Sequence, residues 1–438
     1  MEQNNTAKVK REKGTKSKHA SSEKRHAFPR KKPYILALFV MAFAAIAFLL
    51  VLIIADLLPP DLTVILSVVV IALLLLTNFM FASRFRWKRI IGIVVAMLFI
   101  VVLATVTSFM ASTYETLNKI SATATDATGP APIDVSVTEE PFNIYITGID
   151  QWEEEEGLDL ERSDVNMIIT VNPVTKKVML TSIPRDSYVL LHTAKQMDKL
   201  THTGVYGVDE TLNTVQDWLG IDLNYYLKMN FTAARDIINA MGGISVYSPV
   251  AFDSSLRKNY HYDKGWNDLG GREALYFARE RHAFEGQDSI RVENQQRVMK
   301  AIISKMTSST TLLTKYGDIM AAAGKNLSTN MSADEMTELV KMQMTELAEW
   351  DVQTQKIEGE YDEDYVASLS QAHKYSVYRP DPKSVRKCQE GIDSILNPRA
   401  SEIEEAQKNK SKSFVVNIAK SAFERVKNGK DKDNEDKE

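Results

Sequence analysis

A single cysteine, Cys388, stands in 438 residues, which excludes an intramolecular disulfide and reads as a small buried or half-exposed position. Positive charge is not in surplus either, since the formal net charge is −4. Residues 1–33 hold eleven lysines and arginines against three acidic residues, so that tail carries +8 and the remainder −12. That balance argues against a nucleic-acid partner for the main body, and no helix-turn-helix pattern or internal repeat is visible. Lysine and arginine are also missing from three apolar runs, Tyr34–Leu58, Leu62–Ala82 and Ile90–Ala111. Each run is near or above the roughly 20 residues that cross a bilayer as a helix. The first is too long for the apolar core of a cleaved signal peptide, and the second follows it almost at once.

Three transmembrane helices over 34–111 are therefore expected, and basic residues orient them. The +8 tail and the SRFRWKR loop, Ser83–Arg89, carry the positive charge, whereas the Pro59-Pro60-Asp61 turn carries none. The N-terminus and second loop then lie inside, and everything after Ala111 lies outside. The tail itself, KVKREKGTKSKH, reads as an inside anchor touching anionic lipid, with nucleic-acid contact or a docking peptide as the alternatives.

The outer part is long enough for one domain of roughly 250 residues with its own core. Residues 112–140, rich in Ser, Thr, Ala and Pro, read as an extracytoplasmic linker, and 141–398 as the domain. Strand-like and helix-like segments alternate there. Phe142–Ile149, Val165–Val171, Lys177–Ile183, Tyr225–Phe231 and Ile244–Tyr247 are β-rich, and Val208–Leu219 is helical. Thr232–Met241 is a short helix closed by Gly242-Gly243. Helices are also expected over Gly271–Ala278, Asp288–Met306, Ala333–Glu349 and Lys383–Leu396. This pattern predicts an α/β fold with a mixed central sheet flanked by helices. Residues 399–438 are charged and read as a disordered tail, although Phe414–Val426 fits an amphipathic surface helix.

The chemistry concentrates in RERHAFEGQDSIRVENQ, where Arg279, Arg281, Arg291, Asp288 and Gln295 fall within seventeen positions. Arginine suits a pyrophosphate because its planar fork donates paired hydrogen bonds and stays charged. Asp288, Arg291 and Gln295 share a helix face, with Val292, Met299, Ile302, Ile303 and Met306 as the core-facing stripe. Arg279 and Arg281 diverge on a helix and converge only if the chain leaves it there. Asp150 and Asp164 lie at strand ends, where carboxylates hold divalent cations or simply cap turns. Arg185-Asp186 closes a third strand and reads either as part of the same anion site or as a local ion pair.

The runs NIYITGID, RSDVNMIITVNPVTKKVMLTSIPRDSYV, DKLTHTGVYGVDETL, MNFTAARDIINAMGGISV, LGGREALYFARERH and QDSIRVENQQRV occur in this order behind the apolar runs. Together, over about Phe142–Leu396, they resemble the LytR-CpsA-Psr (LCP) family of Gram-positive bacteria, most like its capsule-type CpsA members. The resemblance implies a cell-membrane, multi-pass enzyme with its catalytic domain outside. Such an enzyme would transfer a glycopolymer, capsular polysaccharide or teichoic acid, from a polyprenyl-pyrophosphate carrier to peptidoglycan through a phosphodiester. It implies Mg²⁺ (or Mn²⁺) at Asp150 and Asp164, and pyrophosphate held by Arg185, Arg279, Arg281 and Arg291. Gln295, Lys199 and Arg162 would assist binding, with Asp288 and Asp186 in support and Asp164 or Asp186 as proton acceptor. The implied partners are the lipid-linked donor, peptidoglycan, the membrane and capsule or wall-assembly machinery. An apolar channel for the prenyl tail is implied between sheet and helices, with Ile168, Val178, Leu180, Met299 and Ile303 as channel or plain core. Two rival functions remain, a polyprenyl-pyrophosphate hydrolase and a lipid-pyrophosphate-binding regulator. The linker is too short for the accessory domain of some capsule-type members, and Gly204 with a lone Gly207 departs from the usual double-glycine form.

Overall fold

Apolar and β-branched residues recur at every second position from Phe142, and the strands they form build the centre of the fold. The computed structural model describes residues 33–56, 58–83, 85–126, 133–149, 163–257, 259–284, 287–323 and 327–410. Three helices come first: α1 Pro33–Ala55, α2 Pro60–Ala82 and α3 Arg86–Asp126. Strands β1 Phe142–Ile149, β2 Ser163–Asn172, β3 Lys177–Ile183, β4 Tyr188–Leu190 and β5 Met197–Lys199 follow. After a 3₁₀ turn, Leu200–Tyr206, come α4 Val208–Leu219, β6 Tyr225–Asn230 and α5 Phe231–Ala240. Short strands β7 Ile244–Ser248, β8 Phe252–Asp253, β9 His261–Tyr262 and β10 Gly265–Leu269 precede α6 Gly271–Arg279, α7 Gln287–Met306 and α8 Ser309–Ala323. The chain closes with β11 Leu327–Thr329, α9 Ala333–Glu346, β12 Asp351–Lys356, β13 Gly359–Asp364, β14 Tyr375–Pro380, α10 Pro382–Leu396 and α11 Ala400–Lys410.

The main sheet has the order β11-β6-β1-β2-β3-β12. It is mixed: β1 runs parallel to β6 and β3 parallel to β12, while β2 and β11 run against their neighbours. Consequently the C-terminal ends of β1, β3, β6 and β12 and the start of β2 share one edge. One face buries Tyr145, Ile168 and Tyr226 against Leu212 and Val215 of α4 and Ile392 of α10. The other buries Met167, Leu180 and Tyr225 against Met299 and Ile303 of α7 and Leu339 of α9. Ile168 thus lies on the opposite face from Val178 and Leu180, and all three are buried. A third apolar cluster joins α5, α6 and α8 to the β7–β10 hairpin around Ile238 and Phe277.

Helix α7 departs from a single core-facing stripe because it packs on two sides. Val298 and Ile302 join the α5–α6–α8 cluster, whereas Met299 and Ile303 join the sheet face. Met306 is exposed at the helix end. Strands β12 and β13 are additions to the sequence reading. DVQTQK and GEYDED offer few apolar residues, because β12 is an edge strand and β13 pairs only with β14.

Two helices among the described residues, not three, contain a stretch long and apolar enough to cross a membrane, Pro60–Phe81 and Arg86–Ser112. In α1 the corresponding apolar stretch, Leu38–Ile54, is shorter. Helix α3 continues through Asp126, so the first half of the segment read as a linker is helical. It packs against α8, α9 and β11. Ala333, Tyr316, Met320 and Met336 join the cluster formed by α1–α3, and Lys341 of α9 pairs with Asp56 in the turn between α1 and α2. Within the segment read as a charged tail, Ala400–Lys410 forms α11, its Glu402 3.2 Å from Lys177. Phe414–Val426 lies outside the described residues.

Cys388 is buried against the α4 face, and burial pushes its thiol up to about 11. It should resist iodoacetamide at pH 8 in the folded chain and react rapidly in denaturant, as mass spectrometry of the alkylated protein would read. At Gly359 an added Cβ would lie inside the contact distance of the Arg379 carbonyl oxygen on the paired strand. Gly359→Ala is expected to cost about 1–3 kcal/mol, measured as a lower urea midpoint.

Candidate functional site

The common edge of the parallel strands is where open α/β sheets place ligands, and charge gathers there in this chain. Asp164 follows the first residue of β2, and Arg185 and Asp186 follow β3 after Pro184. Arg185 pairs with Asp164, and its Nε lies 3.6 Å from Asp186 Oδ2. Lys199 Nζ, at the end of β5, lies 3.2 Å from Asp186 Oδ1. The four side chains form an alternating sequence, Asp164–Arg185–Asp186–Lys199, each less than one third exposed.

The backbone beneath is fixed from three sides. Ser187 N–H donates to Pro184 O, Thr201 N–H to Arg185 O at 2.8 Å, and Tyr378 N–H to Asp186 O at 2.8 Å. Below Asp164 a buried polar set holds the start of β2: Ser163 Oγ lies 2.6 Å from Thr147 Oγ1 and from Asn166 Oδ1, and Tyr145 donates to the same Asn166 oxygen.

A cavity of about 610 Å³ opens over this edge. Arg185, Asp186, Arg281, Lys356, Tyr361 and Tyr378 are among its walls. Lys356 ends β12, its register partner being Ser182 of β3, so the parallel pairing delivers both cations to one mouth. Its ammonium donates to Ser289 Oγ at 2.7 Å and to Glu293 Oε1 at 2.9 Å. Burial pushes the Glu293 carboxyl up, but the Lys356 hydrogen bond and the charges of Lys356 and Arg297 outweigh it and hold it below the usual range. Sequence reasoning missed Lys356 because β12 carries no apolar alternation.

Arg281 owes its position to Glu280. Helix α6 ends at Arg279, and Glu280 adopts an extended backbone, ψ 131°. Its carboxylate is fully buried and accepts from Ser255 N–H (2.7 Å) and Oγ (2.6 Å), from Ser254 Oγ (3.0 Å), and from the N–H groups of Arg281, His282 and Ala283 at 3.0–3.2 Å. Burial raises this acid, but the Ser255, Ala283 and Ser254 hydrogen bonds prevail and leave it below the ordinary carboxylate range. Glu280 therefore turns the chain inward between two arginines that point elsewhere. The signal was present in RER, as a carboxylate between cations, but its burial was not legible.

Arg279 stacks over the Phe231 ring at the start of α5, 4.6 Å from the centroid, and is not among the cavity's walls. Arg291 and Gln295 lie half-buried on α7, which reaches the cavity through Ser289 and Val292. Asp288 is in the first turn of α7. Asp150 and Arg162 lie outside the described residues. Lys199 is held by its neighbour Asp198, a fully buried carboxylate that accepts from the N–H groups of Lys199 (2.7 Å) and Ser368 (2.8 Å) and faces His202 Nδ1 at 2.7 Å. Burial raises Asp198, and the His202, Lys199 and Ser368 hydrogen bonds more than reverse it. The Asp-x-x-x-His spacing was a readable sign of this brace. Gly207, the glycine that departs from the family pattern, caps α4 at φ +103°, a conformation side chains rarely adopt.

The LytR_cpsA_psr family model matches residues 106–392. The chain belongs to this family. It is 35% identical over 217 residues to the polyisoprenyl-teichoic acid–peptidoglycan teichoic acid transferase TagU of Bacillus cereus, covering 49% of this chain and 68% of that one. To the TagU of Bacillus licheniformis it is 30% identical over 268 residues, 59% of this chain and 83% of the relative. The crystal structure of B. subtilis TagV aligns at 28% identity and a TM-score of 0.48, covering 59% of this chain and 98% of that one. The mixed sheet flanked by helices described above is the LCP-type α/β domain of this chain.

Glu280→Gln should cost about 2–3 kcal/mol, because an amide leaves buried donors facing a donor. The wild-type carboxyl is lowered, so its contribution is full at neutral pH and disappears as pH falls from about 4.3 downward through the folded value. Urea midpoints of both proteins at pH 7 and pH 3.5 check this, with the gap narrowing at the lower pH.

Proposed function

We propose that this LCP protein is a phosphotransferase attaching a glycopolymer from a polyprenyl-pyrophosphate carrier to peptidoglycan. The observation that carries the reading is the convergence of Arg185, Arg281 and Lys356 on one cavity at the strand edge, with Asp164, Asp186 and Lys199 completing the charge pattern. Family membership and the TagU relatives support it. A diphosphate needs positioning and charge neutralisation more than covalent help. Arg185 and Arg281 hold the diphosphate oxygens, and Lys356 approaches from the β12 side. Arg279, Arg291 and Gln295, on α6 and α7, would join this donor set with the donor bound, although they are not among the cavity's walls.

A hydroxyl of a peptidoglycan sugar attacks the phosphorus bonded to the glycopolymer. The new P–O bond joins polymer and acceptor in a phosphodiester, and the bond to the distal phosphate breaks to release polyprenyl phosphate. The hydroxyl proton passes to Asp164 or Asp186, the carboxylates beside the arginines. A divalent cation, magnesium or manganese, would suit the Asp164 carboxylate, a hard oxygen donor at the strand edge. Asp150 and Asp164 would hold it, and it would neutralise charge on the departing phosphate.

The protein is read as a multi-pass membrane protein with α1, α2 and α3 in the bilayer, the N-terminus inside and the catalytic domain outside. Phe39, Phe43, Phe79 and Val101 are each more than 60% exposed, as side chains facing hydrocarbon would be. The Asp56–Lys341 pair supports placing the α1–α2 turn on the domain's side of the membrane, opposite the basic loop.

Arg185→Ala and Arg281→Ala should each lower transfer about 100-fold or more. The full chain in detergent, with Mg²⁺, a polyprenyl-pyrophosphate glycan and peptidoglycan fragments, gives the readout by mass spectrometry. A phosphodiester conjugate from wild type supports the reading, while carrier cleavage without conjugate would point to a hydrolase and unaltered donor to a binding protein.

A further inference from the structure

A second cavity of about 740 Å³ adjoins the first along the outer edge of β12, and Lys356 and Glu358 line both. Its flanks are α7 and α10, and β12 is the last strand of the sheet, so the groove follows an open strand edge away from the site. Five basic side chains against three acidic ones line it, in a chain that is acidic outside its N-terminal tail. Two of the cations, Lys356 and Arg297, are committed to Glu293. Lys300 on α7 and Lys383 and Lys387 on α10 are exposed and have no carboxylate partner among the described residues. Lys383 and Lys387 stand one turn apart and share a face of α10.

The floor between them is rigid. Gln355 donates to Thr181 Oγ1 at 2.8 Å and to the Cys388 carbonyl at 2.9 Å, and Gln296 donates to the Gln355 carbonyl at 2.6 Å. A built, polar floor with uncompensated ammonium groups on both walls suits an extended polyanion, since lysine heads meet phosphates as mobile point charges without fixed geometry. Lysines also discourage pairing at an open strand edge, but that purpose requires no cavity and no continuity with the site.

We infer that this groove binds the glycopolymer itself, as a chain of phosphodiester-linked polyol or sugar units whose repeating phosphates lie along Lys300, Lys383 and Lys387 while its pyrophosphate end occupies the neighbouring cavity. The inference rests on the transferase reading and names the part of the donor that it leaves unassigned. It also predicts a class preference: polymers with phosphate in every repeat gain from the groove, and neutral glycans do not.

The test uses the full chain in detergent and a soluble poly(glycerol phosphate) oligomer. Wild type should bind it with an affinity that falls as salt rises, and Lys300→Ala/Lys383→Ala/Lys387→Ala should weaken it about tenfold at low salt. The corresponding triple arginine variant should retain binding. With a short polyprenyl-pyrophosphate disaccharide as donor, both wild type and the alanine variant should transfer equally well. Unchanged oligomer affinity in the alanine variant, or displacement of the oligomer by uncharged glycan fragments at equal concentration, would overturn the inference. Failure of wild type to transfer the short donor would instead overturn the transferase reading.

Discussion

The site depends on the alternation of charge from Asp164 through Arg185 and Asp186 to Lys199. Cations brought to one strand edge repel each other, and the parallel pairing of β3 with β12 adds Lys356 to that edge as surely as it fixes the strands. Interleaved carboxylates make the arrangement tolerable without a bound anion. On the proposed function they would also set its selectivity, because an incoming ligand must offer Arg185 a better partner than Asp164 already does. A diphosphate meets that demand with bidentate, charge-assisted hydrogen bonds, while a singly charged anion has less to exchange. In the proposed reaction the carboxylate so displaced would remain beside the reacting phosphorus, where a proton acceptor is useful.

Two fully buried acids hold this edge in place, and each is costly unless hydrogen-bonded. Glu280 collects six donors and Asp198 meets backbone N–H groups from two segments besides His202. Because the donors come from separate stretches, the acids act as joints. Glu280 ties the end of α6 to the 254–255 turn, and Asp198 ties β5 to residue 368. Arg281 and Lys199, each next to one of these acids in sequence, inherit their stiffness. Cations of a candidate site gain precision from neighbours that do not line the cavity, as Glu280 and Asp198 do not.

Much of this was legible in the residues. Period-two apolar runs marked β1, β2 and β3, and glycine pairs and caps marked α5. The order of the motifs indicated the family before any coordinates. What stayed hidden shares a physical cause, since it depends on which polar groups become buried. DVQTQK looks like a loop until its pairing with β3 is known, so Lys356 could not be found. RER looks like a surface pair until the carboxylate between the arginines is seen to be inside. Helix α7 shows one stripe on a wheel, yet it lies between two apolar clusters, which leaves Met306 in solvent. Asp150 and Arg162, the remaining residues that the family resemblance singles out, lie outside the described residues.

On the membrane topology proposed above, the length of α3 would limit how far the chemistry can lie from the bilayer. At 1.5 Å per residue its 41 residues extend about 60 Å, of which the apolar part, Arg86–Ser112, takes about 40 Å. A hydrocarbon core of about 30 Å and one headgroup layer would account for that stretch. The remaining 14 residues or so rise about 20 Å, and α3 packs against β11, α8 and α9, so on that topology the sheet would stand close to the surface. Met336 of α9 touches the α1–α3 cluster, the sheet-face cluster and the α5–α6–α8 cluster together. On the proposed topology, a domain held at that height by α3 would meet a phosphate that a prenyl chain keeps near the headgroups. Reach toward peptidoglycan would then come from the ligands, and the proposed groove, by leading the polymer sideways from the strand edge, would leave the space above Arg185 and Arg281 to the acceptor.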